Sequence, residues 1–319
     1  MIATGVMVAV AASVIGLTTP TPSGGFTPND PQIDEASGMV VSRDHVDTVW
    51  IANDSGDPAR LFAVDTNDGH TRGVVTMAGA RNVDWEALAI SSGPSSAQLW
   101  VGDIGDNDAV RSSIRVYRLP EPPTSTGEVT DWTSYDFVYP DGAHDAETLL
   151  VDPRDDRLYV VTKGLLGGAV YEAPEVLHSD RVNALTLIGS APLLVTDGAF
   201  RSDGSVVLRN YLNGFVRDDV TGRSRPFSLP RQRQGETLAV IGAGQQAYVG
   251  SEGAGTAVLR VTLPPLTHGP SSSGAGSSTS PSATTSSSGR TLSFAVTLGL
   301  VAGIAAVGLV VVRRRRRQT

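Results

Sequence analysis

The sequence contains no cysteine, a single lysine and only five histidines among its 319 residues. Without cysteine there is no disulfide framework and no thiol chemistry. A core of this size can be stable without disulfides, so the absence of cysteine does not argue against export. The chain also lacks a Gly-x-Ser-x-Gly motif, a phosphate-binding glycine loop and a histidine-rich metal motif. We therefore predict no catalytic residue from motifs.

Positive charge is scarce outside the C-terminus. The formal net charge of −8 includes five consecutive arginines, Arg313 to Arg317, and without them 20 basic residues face 33 acidic ones, a net charge of −13. A domain this acidic does not attract nucleic acid or anionic lipid through bulk charge, whereas it does attract cations. We therefore expect no nucleic-acid partner.

The two ends of the chain differ in composition from the middle. Residues 1–25 contain a short apolar run typical of a secretory signal peptide, although no lysine or arginine precedes it, and a buried strand or helix is the alternative. Residues 269–290 are rich in serine, threonine and glycine, which predicts an unfolded stalk.

The 22 uncharged residues 291–312 are long enough for a transmembrane helix, which crosses about 30 Å of hydrocarbon. The basic tail 313–319 follows directly, and the positive-inside rule places such a tail in the cytoplasm. The sequence thus predicts a single-pass plasma-membrane protein with a globular domain, residues 26–268, outside the cell.

The middle of the chain repeats a short pattern. An acidic or polar residue opens an apolar run in residues 35–41, 84–90, 145–151 and 234–240, with a weaker copy at 196–200. Each run is followed by a turn, a short strand rich in aromatic and β-branched residues, a polar loop and another short strand. The runs show strand chemistry, and no long helical periodicity accompanies them.

The repeat length predicts the fold. The successive acidic residues stand 51, 61, 50 and 39 positions apart, and units of that length with three or four strands are typical of β-propeller blades. We therefore predict an all-β fold, a β-propeller with five blades. A degenerate sixth blade between Glu121 and Tyr139 is an alternative. A β-sandwich also competes, but it gives no reason to repeat an acidic residue at the head of each unit.

The repeated acidic residues predict a metal site. The first strand of each propeller blade lines the central channel, so residues at its start converge on one axis. The candidates are Glu35, Glu86, Glu147, Glu236 and Asp197. Converging carboxylates must protonate or bind a cation. Calcium fits best, because it prefers oxygen ligands and no histidine or cysteine stands beside these positions. The alternative is that each carboxylate caps neighbouring backbone N–H groups.

The loops after the second strands share one face of the propeller and form a candidate ligand site. Its predicted residues are Asp54, Asp103, Lys163, Arg209 and Glu252. Both signs of charge occur in this set, as in a site for a polar ligand. Aspartate and glycine are also ordinary turn residues, and for Asp57, Asp106 and Asp108 we favour that turn role.

Three stretches, residues 53–57, 102–107 and 139–147, resemble a family of secreted actinobacterial β-propeller proteins. More distantly, the strand starts are similar to those of SdiA-regulated periplasmic propellers and of calcium-activated nucleotidases (apyrases). The apyrase resemblance implies five blades with calcium in the channel. It also implies ligand roles for Glu35, Glu86, Glu147 and Glu236, with Asp197 replacing the glutamate of the fourth unit.

Three functions are consistent with these features. The first is a calcium-stabilised propeller at the cell surface that binds a small polar ligand or a surface protein at the channel mouth. The second is a calcium-dependent phosphoester hydrolase, in which a metal polarises the phosphoryl group and Asp54, Asp103 and Lys163 contact the substrate. The third is a passive spacer without a convergent polar site. We expect the first, because the sequence shows no complete catalytic set.

Overall fold

The computed structural model describes residues 22–92 and 96–265. These residues form 22 strands. The strands are β1 (Gly25–Phe26), β2 (Ala36–Val41), β3 (Thr48–Asn53), β4 (Arg60–Asp65), β5 (Thr71–Met77), β6 (Trp85–Ser91), β7 (Gln98–Asp103), β8 (Ile114–Pro120), β9 (Gly127–Val129), β10 (Thr133–Val138), β11 (Ala146–Val151), β12 (Leu158–Thr162), β13 (Gly168–Glu172), β14 (Asn183–Ala184), β15 (Thr186–Ala191), β16 (Val195–Phe200), β17 (Val206–Asn210), β18 (Asn213–Arg217), β19 (Arg225–Ser228), β20 (Gly235–Ile241), β21 (Gln246–Ser251) and β22 (Val258–Thr262).

The strands form five sheets, which are the blades of a propeller. Blade I has the strand order β2-β3-β4-β5-β9, blade II β6-β7-β8-β10-β14, blade III β11-β12-β13-β15, blade IV β16-β17-β18-β19 and blade V β20-β21-β22-β1. The inner strands β2, β6, β11, β16 and β20 contact one another in a closed ring around the channel. The prediction of a five-bladed propeller is confirmed. The stretch considered for a sixth blade instead forms β9 and β10, which belong to blades I and II.

The two-residue period of the strands builds the core between the blades. Side chains of a strand point alternately to the two faces of its sheet. In β3, Val49 and Ile51 therefore join the apolar cluster shared with blade V, whereas Trp50 and Ala52 join the one shared with blade II. Five such clusters lie between neighbouring blades. The two faces of a second strand pack against two different neighbouring blades. Both faces are therefore apolar, and the second strands are almost continuous apolar runs.

The N-terminal strand closes the ring. Strand β1 pairs with β22, and the backbone N–H of Ser23 donates to Arg260 O at 3.0 Å. Gly25 has a φ of 144°, and a Cβ there would stand 2.1 Å from the carbonyl oxygen of Val258, so glycine is needed. The closing pair covers an otherwise open sheet edge. All five sheets are complete within residues 22–265, so this stretch can fold by itself.

Two further strands and one glutamate fasten the first three blades together. Strand β9 pairs in parallel with β5 of blade I, and β14 pairs in parallel with β10 of blade II. Glu121 directly follows β8 of blade II. It accepts hydrogen bonds from Arg43 N and Asp44 N, both at 3.1 Å, and from Trp50 Nε1 at 2.8 Å. These contacts fix the turn after β2, which forms one rim of the channel.

The described residues contain no helix that could span a membrane. The predicted signal peptide lies outside them except for residues 22–25, of which Gly25 belongs to β1. The predicted stalk, transmembrane helix and basic tail also lie outside the described residues.

Removing the aromatic contact of the closing strand should destabilise the propeller. Phe26 is buried and packs edge-on against Tyr248, with ring centroids 5.3 Å apart. We expect Phe26→Ala to cost about 3 kcal/mol. For a domain of this size that loss lowers the melting temperature by about 6–12 °C. Calorimetry of residues 22–265 measures it.

Leu166→Ala is the matched control, because the Leu166 side chain is fully exposed and its removal leaves no cavity. Equal melting temperatures of Phe26→Ala and Leu166→Ala would show that ring closure does not depend on this contact.

Candidate functional site

A β-bulge begins every inner strand. In blade II, Trp85 pairs with Asp103 but Ala87 pairs with Gly102, so Glu86 is an extra residue without a ladder partner. The same irregularity occurs at the start of the other four inner strands. A bulge turns one side chain out of the regular alternation. The residues at this position are Ser37, Glu86, Glu147, Thr196 and Glu236.

Three of the predicted metal ligands therefore share one structural position. Glu86, Glu147 and Glu236 are each only 4% exposed. Electrostatic interactions link Glu147 to both Glu86 and Glu236, so the three carboxylates lie close together inside the channel. The structure thus brings together the glutamates of blades II, III and V.

The other two predicted metal ligands occupy different positions. Glu35 precedes β2 and is exposed, and its counterpart in blade II is Asp84. Asp197 stands one residue after the bulge position of blade IV. Its carboxylate accepts hydrogen bonds from Gly198 N at 2.7 Å and Leu238 N at 2.5 Å. Asp197 thus joins β16 to β20 by capping backbone N–H groups, as in the alternative considered above.

A second set of equivalent residues forms the mouth of the channel. The backbone N–H of Asp54, Lys163 and Glu252 each donates to the carbonyl of the residue two positions before a bulge residue. By strand register, one residue of each blade occupies this position. The five residues are Asp54, Ile104, Lys163, Tyr211 and Glu252. Three of the predicted ligand-site residues therefore line the mouth, whereas Asp103 and Arg209 stand one and two residues earlier in their blades.

Asp103 holds the backbone of the site. Its carboxylate accepts hydrogen bonds from Val83 N at 3.3 Å and Asp84 N at 3.2 Å, and it forms an ion pair with Arg111 at 2.9 Å. Burial raises the pKa of Asp103, and Arg111 opposes that rise. Asp103 is only 1% exposed, so its position suits orientation of Asp84 better than contact with a ligand.

Arg209 is fully buried and joins blades IV and V. Its Nη1 donates to the carbonyls of Thr237 and Gly250, both at 3.0 Å, and to Gln232 Oε1 at 3.1 Å. A Cβ on Gly235 would lie 1.8 Å from Nη2, so glycine makes room for the guanidinium. Burial lowers the pKa of Arg209 to about 10.

Two blades contribute to a compact carboxylate triad. Carboxylate oxygens of Asp54, Asp84 and Glu86 all lie within 4.8 Å of one another, and two of the three residues are buried. Asn82 fixes this junction, because its Nδ2 donates to Asp54 O at 2.7 Å and its Oδ1 accepts from Trp85 N at 3.0 Å. We refer to Asp54, Asp84 and Glu86 as the triad.

The loop after β7 forms a cradle for the triad. The backbone N–H groups of Ile104 and Gly105 both donate to Asp84 O at 3.1 Å. A Cβ on Gly105 would lie 2.4 Å from Asp84 Oδ2 and 2.8 Å from Glu86 Cγ. Only glycine lets the loop approach the two carboxylates this closely. The oxygen-only donor set and its tight cradle fit a hard divalent cation.

On the other side of the channel the protein supplies its own positive charge. Lys163 Nζ forms an ion pair with Glu147 and lies 5.4 Å from the centre of the Tyr211 ring. Burial lowers the pKa of Lys163, but Glu147 and Glu236 outweigh that effect and raise it well above the usual value. Lys163 therefore stays charged. Within the described part of the chain, Glu236 Oε2 has no hydrogen-bond partner.

The channel carboxylates resist ionisation. Burial, followed by the charge of Glu147, raises the pKa of both Glu86 and Glu236 well above the usual value for glutamate. Burial also raises the pKa of Glu147, and Lys163 works against that rise. A cation beside these groups would favour their ionised forms, so its binding would release protons.

Sequence reasoning missed four residues of the site: Asp84, Asn82, Gly105 and Tyr211. The repeat alignment contained the signal for Asp84, since it places Asp84 opposite Glu35 and Glu86 opposite Ser37. The hydrogen bonds of Asn82 and the close approach of the Gly105 backbone to Asp84 and Glu86 depend on three-dimensional packing, and no local sequence pattern reports that.

No family model and no curated protein matches the chain. Among solved structures, a gluconolactonase from Xanthomonas campestris, described as important in glucose secondary metabolic pathways, is 12% identical. The alignment covers 76% of this chain and 99% of that one, with a TM-score of 0.41.

Adding a methyl group to the cradle should weaken cation binding. In Gly105→Ala the new Cβ must displace the carboxylates of Asp84 and Glu86. We expect calcium affinity, measured by titration calorimetry, to fall at least about tenfold, which corresponds to about 1.4 kcal/mol. Gly127→Ala is the control, because a Cβ there has no neighbour within 4 Å. If Gly105→Ala and Gly127→Ala bind calcium with equal affinity, the loop after β7 does not form part of the cation site.

The raised glutamate pKa values predict a pH dependence of stability. A carboxyl group with a higher pKa in the folded state stabilises the fold below its unfolded pKa of about 4.3, and that contribution is lost as pH rises through the folded pKa. Without divalent cations, the melting temperature should fall as the pH rises above about 4.3 and through the raised pKa values of these glutamates. Glu236→Gln should flatten this slope, whereas Glu128→Gln, an exposed control, should not. An unchanged pH dependence of the melting temperature in Glu236→Gln would contradict a raised pKa of Glu236 in the folded state.

Proposed function

We propose that this propeller is a calcium-binding domain that presents a cation at its channel mouth to a polar ligand or partner. The observation that carries the proposal is the triad, three carboxylates from two blades whose oxygens lie within 4.8 Å of one another. Isolated buried carboxylates are unfavourable unless they protonate, pair or bind a cation. A cation at the triad neutralises this charge and joins blade I to blade II.

The donor chemistry favours calcium over other divalent ions. Carboxylate oxygens are hard ligands, and the triad contains neither histidine nor cysteine, the usual ligands of zinc. Calcium takes about six to eight oxygen ligands in flexible geometry. Three carboxylates leave coordination positions for water or for oxygen atoms of a ligand. That ligand is the small polar molecule or surface protein expected from the sequence.

The rest of the channel limits the site to one cation. Lys163 already neutralises Glu147 on the side of blades III and V. The sequence predicted a ring of five equivalent metal ligands. In this proposal the channel instead has two halves: the triad binds a cation, and Lys163 pairs with a glutamate in the other half. Ser37 and Thr196 occupy the remaining bulge positions without charge.

The same charges favour binding over phosphoester hydrolysis. A phosphoryl substrate needs several positive groups to neutralise its oxygens. At the mouth Lys163 is engaged by Glu147, and Arg111 is engaged by Asp103. Glu252 and Asp54 add negative charge at the same level. We therefore propose a binding domain at the cell surface, anchored through the C-terminal apolar segment.

Removing one triad carboxylate at a time tests the proposal. Calcium at 100 times its dissociation constant should stabilise the wild-type domain by about 2.7 kcal/mol. At this size that gain raises the melting temperature by about 5–11 °C. In Asp54→Asn and Glu86→Gln the rise should largely disappear, since each variant lacks one ligand charge.

Asp57→Asn is the matched control. Asp57 lies in the same loop as Asp54 and carries the same charge, but it forms an ion pair with Arg60 at 2.6 Å. Calcium should stabilise Asp57→Asn as much as wild type. Equal calcium shifts in Asp54→Asn, Glu86→Gln and Asp57→Asn would refute the triad as the binding site.

A further inference from the structure

The end of the channel opposite the mouth contains a cavity. The inner strands begin at the acidic mouth and end at this cavity, which has a volume of about 440 Å³. Small-molecule sites occupy about 300–1,000 Å³, so the cavity is large enough for an organic ligand. We refer to it as the exit cavity.

The exit cavity is lined by both apolar and polar residues, which come from all five blades. Val41, Ile90, Val151, Phe200 and Val240 are among them, one from the end of each inner strand. Glu86 and Ile90 are four residues apart in β6, which corresponds to about 13 Å of extended strand. The exit cavity is therefore distinct from the triad.

The charged side chains that line the exit cavity are both arginines, Arg43 and Arg201. Of the acidic residues nearby, Asp203 accepts a hydrogen bond from Ser205 N at 3.0 Å and also attracts Arg201 electrostatically. Glu121 accepts from the backbone of Arg43 and Asp44, and Asp152 pairs with Arg154 at 2.5 Å. Among the described residues, neither Arg43 nor Arg201 has a carboxylate within ion-pair distance.

Arg201 is buried, and its electrostatic attraction to Asp203 only partly offsets the effect of burial. It is 5% exposed, its Nη2 donates to Pro264 O at 2.9 Å, and its Nε has no partner in the described part of the chain. Burial lowers the pKa of Arg201. Arg43 stands at the rim, where its Nη1 donates to Ser92 Oγ at 2.6 Å and Glu121 fixes its backbone. Arginine donors suit carboxylate, sulfonate and phosphate groups.

We propose that the exit cavity binds a small organic anion, with its apolar body between the inner strands and its charged group at Arg43. The domain carries a net negative charge overall, so the attraction is local to this rim. The two ends of one channel thus select opposite charges, a metal cation at the mouth and an organic anion at the exit.

A pair of fluorescent probes tests the inference on residues 22–265. The probe 1-anilinonaphthalene-8-sulfonate has an apolar body with one sulfonate, and N-phenyl-1-naphthylamine has the same rings without the charge. We expect one sulfonate probe to bind per folded domain. In Arg43→Met its dissociation constant should rise at least about tenfold, as for the loss of a charged hydrogen bond. The uncharged probe should bind both proteins equally.

Arg225→Met controls for the loss of one positive charge, since Arg225 pairs with Asp218 at 2.8 Å and does not line the cavity. It should bind both probes like wild type. Ala199→Phe fills the cavity and should abolish binding of both probes, and Val41→Phe is a second filling variant if the first lowers the melting temperature.

The inference is overturned if the folded domain binds no sulfonate probe, if Arg43→Met and Arg225→Met bind it equally, or if the filled variants still bind it. Chelation of calcium should leave probe binding unchanged in a domain that remains folded. Failure of the triad to bind calcium would therefore not affect this result, and failure of the exit cavity would not affect the triad.

Discussion

The propeller buries several carboxylates of like charge at the axis of its closed ring of five blades. Five inner strands meet at the channel, and a bulge at the start of each aims one side chain toward the same axis. Three of these side chains are glutamates with raised pKa values. Desolvated carboxylates this close together need a proton, a cation or a basic side chain. Lys163 neutralises Glu147, and we propose that a bound cation neutralises the triad.

The surrounding structure serves to hold this arrangement. Asn82 fixes Asp54 to the start of β6, and Asp103 fixes the backbone of Asp84. Gly105 lets the loop after β7 approach the side chains of Asp84 and Glu86. Ring closure by β1 keeps the five inner strands in register around the channel. The bulges that place the carboxylates thus depend on packing between blades as well as on hydrogen bonds within them.

The fold could be predicted from the sequence, whereas the site could be predicted only in part. Strand periodicity and repeat spacing are local signals, and they gave the five blades. The repeat also identified Glu86, Glu147 and Glu236, because their bulge position recurs in each copy. It misplaced Asp197, whose neighbour Thr196 occupies the bulge, and Arg209, whose long side chain enters the core. Which carboxylate pairs with Lys163 depends on side-chain positions within blade III and around the channel, and a sequence does not report these.

In this proposal the channel is divided into a half that binds a cation and a half that Lys163 neutralises. The most direct measurement is anomalous diffraction from crystals of residues 22–265 grown with manganese, a divalent ion that also takes oxygen ligands. We expect a single anomalous peak among Asp54, Asp84 and Glu86, with Lys163 still paired to Glu147. A peak between Glu147 and Glu236, or no peak in the channel, would contradict it.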